Sequence, residues 1–250
     1  MNTTLWHFRY SHFAEKVRWT LDHKAVPHLR RALIPGWHIP TMMWVSGQRQ
    51  IPVLELAGRK VVDSSAIIAA IEASQPSAPL YPEDADARRR ALAIEEWFDE
   101  HIGAHIRRLW YACYLGDAQR CARMNTAGFS EGTARMYRGT LPLLGRIIRL
   151  DMGIDDATVD RSVAAIALAF DELEQRLHGR DYMVDERFTV ADLTAAALLS
   201  PIVRPPEFPY ALPDPLPPRL AAIRSEVAER DGFRWVEEMY RRHRGSSSEL

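Results

Sequence analysis

The sequence predicts a small α/β domain followed by a larger all-α domain. Three observations carry this: short strand-like runs that alternate with helical periods up to about residue 75, near-continuous helical periodicity beyond Pro82, and a shift in character between them. Thr4–Phe8 and Leu29–Ile34 are rich in residues that suit strands, and between them Phe13, Val17 and Leu21 recur at a helical period. Strand, helix, strand is the unit of a parallel pair. Pro35–Arg49 holds Gly36, Pro40 and Gly47 and reads as loop. Ile51–Leu56 and Arg59–Val62 flank Ala57-Gly58, a short hairpin signal, and Ser64–Ser74 carries Ile67, Ile68 and Ile71 on one helical face. The order is therefore β-α-β, connection, β-β-α.

Beyond the connection near 75–85, Asp86–Leu115 reads as one long helix with Phe98, Ile102, Ile106 and Leu109 on a stripe. Phe129–Leu150 is another, which Pro142 is expected to kink or divide. Ala157–His178 has apolar residues at 163, 166, 170, 173 and 177, and Gly179 is placed to stop it. Thr189-Val190-Ala191-Asp192 is a capping box, with Phe188 and Leu193 as its staple, opening a helix over Val190–Leu199. Residues 201–218 hold eight of the sixteen prolines and predict an irregular, stiff segment; short helices near 219–229 and 233–243 follow. The final GSSSEL is expected to be disordered. The division expected is 1–78 and 84–245.

Composition bounds the function. Of 250 residues, 32 Lys and Arg face 33 Asp and Glu, a net charge of −1, so binding of nucleic acid by phosphate neutralisation is not expected. The longest apolar run, Val163 to Phe170, is far short of the roughly 20 residues that span a bilayer, and the first residues lack the pattern of a secretory signal. Two cysteines, Cys113 and Cys121, make no disulfide framework, which points to a reducing cytoplasm.

Three places carry chemistry. Pro52 follows Ile51 inside a strand pattern; it reads either as an ordinary trans proline at an edge or as a cis bond that leaves the Ile51 N–H and C=O free for a peptide-like ligand. Asp63-Ser64-Ser65 lies at a strand-to-helix junction. It reads as plain capping, or as a receptor for an α-amino acid end group, the helix N–H groups taking the carboxylate and Asp63 the ammonium. Arg9-Tyr10-Ser11-His12 opens onto a helix whose positive end lies beside the Ser11 hydroxyl. That hydroxyl is either a cap or a donor to an anion such as a thiolate.

These pieces resemble the glutathione S-transferase superfamily in order and spacing. They are Ser11-His12-Phe13-Ala14-Glu15-Lys16-Val17-Arg18, Gln50-Ile51-Pro52-Val53-Leu54, Asp63-Ser64-Ser65-Ala66-Ile67 and Phe188-Thr189-Val190-Ala191-Asp192-Leu193. The resemblance implies a thioredoxin-like N-terminal domain that binds glutathione and an all-α domain that holds an electrophile. It implies that Ile51, before a cis Pro52, pairs through its backbone with the cysteinyl part of glutathione. It further implies that Asp63 and Ser64 hold the γ-glutamyl end, with Gln50 nearby. His38, beside Trp37, is its candidate for the glycyl carboxylate, and Ser11 matches the activating position.

Tyr10, one residue away, is the alternative donor. No cysteine stands at 11 or 14, so glutaredoxin-type disulfide reduction is not expected, and His12 stands where a proline is frequent. His105, Arg108, Trp110 and Tyr111 are candidates for the electrophile pocket. His101 and His105 lack a third metal ligand at a convincing spacing, so no metal is expected. Arg241-Arg242-His243-Arg244 reads as a solvated helix end. The expected protein is a cytoplasmic, homodimeric detoxifying transferase, with glutathione as co-substrate, a small hydrophobic electrophile as second substrate, and neither nucleic acid nor membrane as partner. The alternatives are a glutathione-fold binding protein without turnover and a glutathione-dependent isomerase or lyase.

Overall fold

Strand β1 (Thr3–His7) is the centre from which the rest is built. It runs parallel to β2 (His28–Ala32) on one side and antiparallel to β3 (Val53–Leu56) on the other, and β4 (Arg59–Val62) completes the order β2-β1-β3-β4. The computed structural model describes residues 3–250, so the first two residues of the expected N-terminal domain lie outside the described residues.

Helices α1 (His12–His23) and α3 (Ser64–Ser74) cover one face, burying Val17, Leu21, Ile67 and Ile71 against Leu5 and Leu54. Helix α2 (Ile39–Ser46) covers the other, where Met42 and Val45 meet Val53. This helix lies inside the stretch expected to be loop. Pro40 falls in its first turn, where a missing N–H costs nothing, and Gly47 caps its end at φ 71°.

The remaining chain is helical: α4 (Ala85–Phe98), α5 (Ala104–Tyr114), α6 (Ala118–Asn125), α7 (Glu131–Asp151), α8 (Asp156–Leu177), α9 (Val190–Val203), α10 (Pro218–Val227) and α11 (Asp231–His243). Two expectations change here. The long helix of 86–115 is interrupted by a π-helical turn, Asp99–Gly103, and α6 is a short helix the pattern did not announce. Helix α7 runs on through Pro142 undivided. Helix α9 is buried along its whole length, the mark of a helix at the centre of a core, and it packs between α1, α4 and α11. Its capping box is formed as expected: the buried Asp192 carboxylate accepts from the N–H groups of Thr189 and Met183, both at 2.9 Å, and from the Thr189 hydroxyl.

The two layers meet along α1. Trp19 is fully buried there, stacks near Phe188 and Tyr240, and donates its indole N–H to the His243 carbonyl at 2.9 Å. Arg244 corrects the picture of a solvated basic helix end. It is 2% exposed and reaches Glu15 at 2.7 Å and Asp22 at 2.8 Å. The last residues are likewise ordered. His28 donates to the Ser248 carbonyl, Leu250 donates to the His28 carbonyl, and Asp22 accepts from the Ser248 N–H. They cover the outer edge of β2, whose backbone groups need partners. Among the described residues no helix is long and apolar enough to cross a membrane.

Candidate active site

The turn after β1 places Ser11 as the N-cap of α1. Its Oγ accepts from the Ala14 N–H at 3.2 Å, while its own proton goes to no described residue. A hydroxyl used in this way satisfies one free amide of the helix and keeps a donor to spare. The buried Arg18 fixes the turn from below. Its guanidinium donates to the carbonyls of Phe8 (3.2 Å) and Ser11 (3.4 Å), to Glu15 (2.8 Å) and to Nδ1 of His7 (2.9 Å). Burial and the Arg18 charge hold His7 well below the ordinary histidine range, so it accepts as a neutral ring.

Tyr10 is committed elsewhere. Its hydroxyl donates to the Ala211 carbonyl at 2.8 Å, and burial raises its pKa further from neutrality. His12 is 4% exposed and donates from Nε2 to the Gly103 carbonyl in the π-turn at 3.0 Å. Burial, with Arg107 and Lys16 nearby, pushes its pKa down to about 3, so it is neutral.

Ser11 opens onto a cavity of about 280 Å³. Its sheet-side wall carries Tyr10, Ser11, His38, Gln50 and Ile51. These converge because β1 and β3 are neighbours, with Trp6 opposite Val53, so the turn leaving β1 lies beside the segment entering β3. The Ile51–Pro52 peptide is cis, pairing with β1 begins only at Val53, and no described residue bonds to the Ile51 amide or carbonyl. His38 accepts from the Gly36 N–H and donates to the Arg49 carbonyl, each at 3.0 Å. Both nitrogens are engaged and burial lowers its pKa, so it braces the loop as a neutral ring rather than offering a free donor.

Pro52, Asp63 and Ser64 are not on this wall. Asp63 is exposed and caps α3, one carboxylate oxygen accepting from Ser65 and Ala66 at 3.0 Å each. Its φ of 73° is unusual for a residue with a side chain. Ser64 is buried at the first position of the helix.

The opposite wall comes from the helices. Ile106, Arg107, Trp110 and Tyr111 of α5 line it, together with Met124 and Asn125 of α6 and Leu144, Ile147 and Ile148 of α7. So Trp110 and Tyr111 face the cavity as expected. His105 and Arg108 turn away to Ser162 and to the Met152 carbonyl. His101 stacks on Trp97 and bonds to its carbonyl, and His105 Nδ1 is held by Ser162, so the two imidazoles do not share a site. Burial pushes both cysteine thiols up to about 11, leaving them protonated. Arg9 and Arg107 also line the cavity and were missed, since no spacing in the chain brings residue 9 to residue 107. Gly36 lets the loop after β2 approach α7. Its φ is 84°, and a Cβ there would lie 2.6 Å from Leu144.

Comparison with known proteins accords with this geometry. No curated protein sequence matches the chain. Among solved structures, the β-etherase LigF from Sphingobium sp. strain SYK-6 is 20% identical, with a TM-score of 0.64 over 95% of this chain and 99% of that one. Human glutathione transferase theta-2, in complex with glutathione and an unknown ligand, is 20% identical, with a TM-score of 0.61 over 97% and 90%. A bacterial zeta-class maleyl pyruvate isomerase is 22% identical, with a TM-score of 0.53 over 95% and 97%. At these identities the likeness is one of fold. Residues 5–79 match the family described as glutathione S-transferase, N-terminal domain, and residues 136–231 that described as glutathione S-transferase, C-terminal domain, so the chain belongs to the glutathione S-transferase superfamily.

Proposed function

We propose that the protein is a glutathione transferase in which the Ser11 hydroxyl activates the thiol. The observation that carries this reading is Ser11 itself. It stands at the positive end of α1, on the wall of a cavity, with an uncommitted proton, while the rival Tyr10 spends its proton on Ala211. A free thiol has a pKa of about 8.5. A hydrogen bond to a charged group contributes about 1.5–3 kcal/mol, which lowers the thiol by roughly one to two units. The proton leaves to solvent, and the thiolate forms a carbon–sulfur bond to an electrophile held against the α5–α7 wall, either displacing a leaving group that departs with its bonding pair or adding to a polarised double bond whose electron pair takes a proton from solvent.

The free backbone of Ile51 suits the cysteinyl peptide, with Gln50 beside it and Pro52 setting the approach. The α3 N-terminus suits the γ-glutamyl end: the Ser64 amide takes its carboxylate, and the unused oxygen of Asp63 takes its ammonium. His38 contributes by holding the Arg49 loop. The proposed setting is a cytoplasmic homodimer that detoxifies small hydrophobic electrophiles. The fold likeness to a β-etherase and an isomerase supports a second reading, in which glutathione adds and later leaves; product analysis separates it from net conjugation.

The deciding experiment titrates enzyme-bound glutathione by thiolate absorbance in the wild type, Ser11→Ala and Tyr10→Phe. Ser11→Ala is expected to raise the bound-thiol pKa by about one to two units and to lower turnover about tenfold to a hundredfold, with Tyr10→Phe changing the pKa little. An unchanged pKa and rate in Ser11→Ala overturn the assignment. Binding at millimolar glutathione, with no turnover over a panel of electrophiles, replaces the enzyme reading by that of a binding protein.

A further inference from the structure

The cavity carries more positive charge than an apolar electrophile requires. Three guanidiniums line it, Arg9, Arg49 and Arg107, against one carboxylate, Asp151. Arg49 is paired with Asp151 at 2.9 Å. Arg9 and Arg107 have neither a carboxylate within 4.0 Å nor a hydrogen-bond acceptor among the described residues. The histidines of the cavity, His12 and His38, are held neutral and add no charge.

Arg9 leaves the reactive turn towards the helices. Its guanidinium lies against Gly128, where a Cβ would come within 2.3 Å of it, and over the Tyr210 ring at 5.0 Å. Its Nε is buried without a partner. The terminal nitrogens, which likewise have no partner among the described residues, are the ones open to a ligand. Arg107 stands on α5, one turn before Tyr111, so both project from one face of the helix. The Tyr111 hydroxyl bonds to no described residue, and burial holds it protonated, a further neutral donor.

We infer that Arg9, Arg107 and Tyr111 form an anion-recognition subsite, and that the second substrate is an electrophile bearing a carboxylate on an aromatic or branched apolar body. This rests on the transferase reading of the same cavity. The guanidiniums take the carboxylate in charge-assisted bonds, and Ile106, Trp110 and Leu144 hold the apolar body. The electrophilic carbon is thereby turned towards Ser11.

Two aryl chlorides test this, 1-chloro-2,4-dinitrobenzene and 4-chloro-3,5-dinitrobenzoate. In both, the thiolate forms a carbon–sulfur bond, chloride leaves with the bonding pair, and the thiol proton goes to solvent. Binding of the unreactive pair 1,3-dinitrobenzene and 3,5-dinitrobenzoate is measured alongside by tryptophan quenching, which needs no turnover. The wild type is expected to bind the acid at least tenfold more tightly than the neutral compound. Arg107→Gln and Arg9→Gln are expected to lower kcat/KM for the chlorobenzoate at least tenfold more than for the neutral chloride, mostly through KM. Equal binding of acid and neutral compound, or equal losses on both chlorides, overturns the subsite. Selective binding of the acid, abolished in Arg107→Gln, with no conjugation of either chloride, supports the subsite and overturns the transferase reading.

Discussion

Lys16 Nζ lies 2.6 Å from Asp99 Oδ2 and 3.2 Å from Glu95 Oε1, and thereby joins α1 of the sheet layer to the helical layer. Ser65 of α3 completes the cluster, its hydroxyl 2.7 Å from Glu95 and 2.8 Å from Asp99 while it accepts from Lys16 at 3.2 Å. Lys16 is fully buried, so removing its charge strands two carboxylates beside one another. Lys16→Met is expected to destabilise the protein by about 3–5 kcal/mol in urea unfolding. Adding Glu95→Gln and Asp99→Asn should recover a large part of that loss; no recovery would mean that Lys16 matters for packing alone.

His12 makes stability depend on pH. Its folded-state pKa is about 3, against an ordinary value of 6.5, because burial and nearby cations disfavour the charged ring. Below pH 6.5 the unfolded chain takes up a proton that the folded one refuses, so stability is lost as pH falls from about 6.5 towards 3. The slope from this group is about 1.36 kcal/mol per pH unit. Denaturant titrations at pH 7, 6 and 5 should show it, and His12→Gln should give a shallower slope. An identical slope in the variant would assign the pH dependence to other groups.

Gly103 is held to its size by Phe13. A Cβ at Gly103 would lie 2.2 Å from the Phe13 ring. The backbone there is helical, so alanine would otherwise gain about 1 kcal/mol. Overpacking costs about 1–3 kcal/mol, and the two together give a loss of up to about 2 kcal/mol in thermal unfolding of Gly103→Ala. Phe13 also lines the cavity, so its displacement should raise KM for the electrophile. Phe13→Leu in the same chain should relieve the stability defect.

Asp63→Asn keeps the cap of α3, since asparagine accepts from helix amides as well as aspartate does. It removes the charge proposed to meet the γ-glutamyl ammonium. KM for glutathione is expected to rise about threefold to tenfold, with kcat and unfolding free energy little changed. The glutaryl analogue, which lacks the amino group, should bind the wild type and the variant alike. A variant that loses affinity for both ligands equally would argue for a steric role.

Much of the fold was legible because local signals agree with tertiary need. Thr189 and Asp192 announce a helix start, and the structure forms their reciprocal bonds. Helix α2 was not legible, because Pro40 and Gly47 read as interruptions when they are its first turn and its end. The π-turn hid for a different reason: Phe98, Ile102, Ile106 and Leu109 are all buried, so the apolar stripe passes through it unbroken. On the cavity wall, Ser11, Gln50 and Ile51 stand at the motif positions and meet through adjacent strands. Arg9 and Arg107 carry no such signal. Their meaning depends on which charges the fold leaves unpaired, and periodicity does not encode that.

Ala211 belongs to the proline-rich segment, and its carbonyl holds Tyr10, the neighbour of Ser11. Tyr210 in the same segment stacks on His7 at 5.9 Å and lies under the guanidiniums of Arg9 and Arg18, which tie the turn after β1 to its surroundings. The proline-rich segment and the turn that bears Ser11 are therefore mechanically coupled. Any drift in the segment that shifts Ala211 or Tyr210 also tugs on Tyr10, Arg9 and Arg18. A destabilising change in 205–217 should therefore be rescued by second changes in 8–12 that restore the turn.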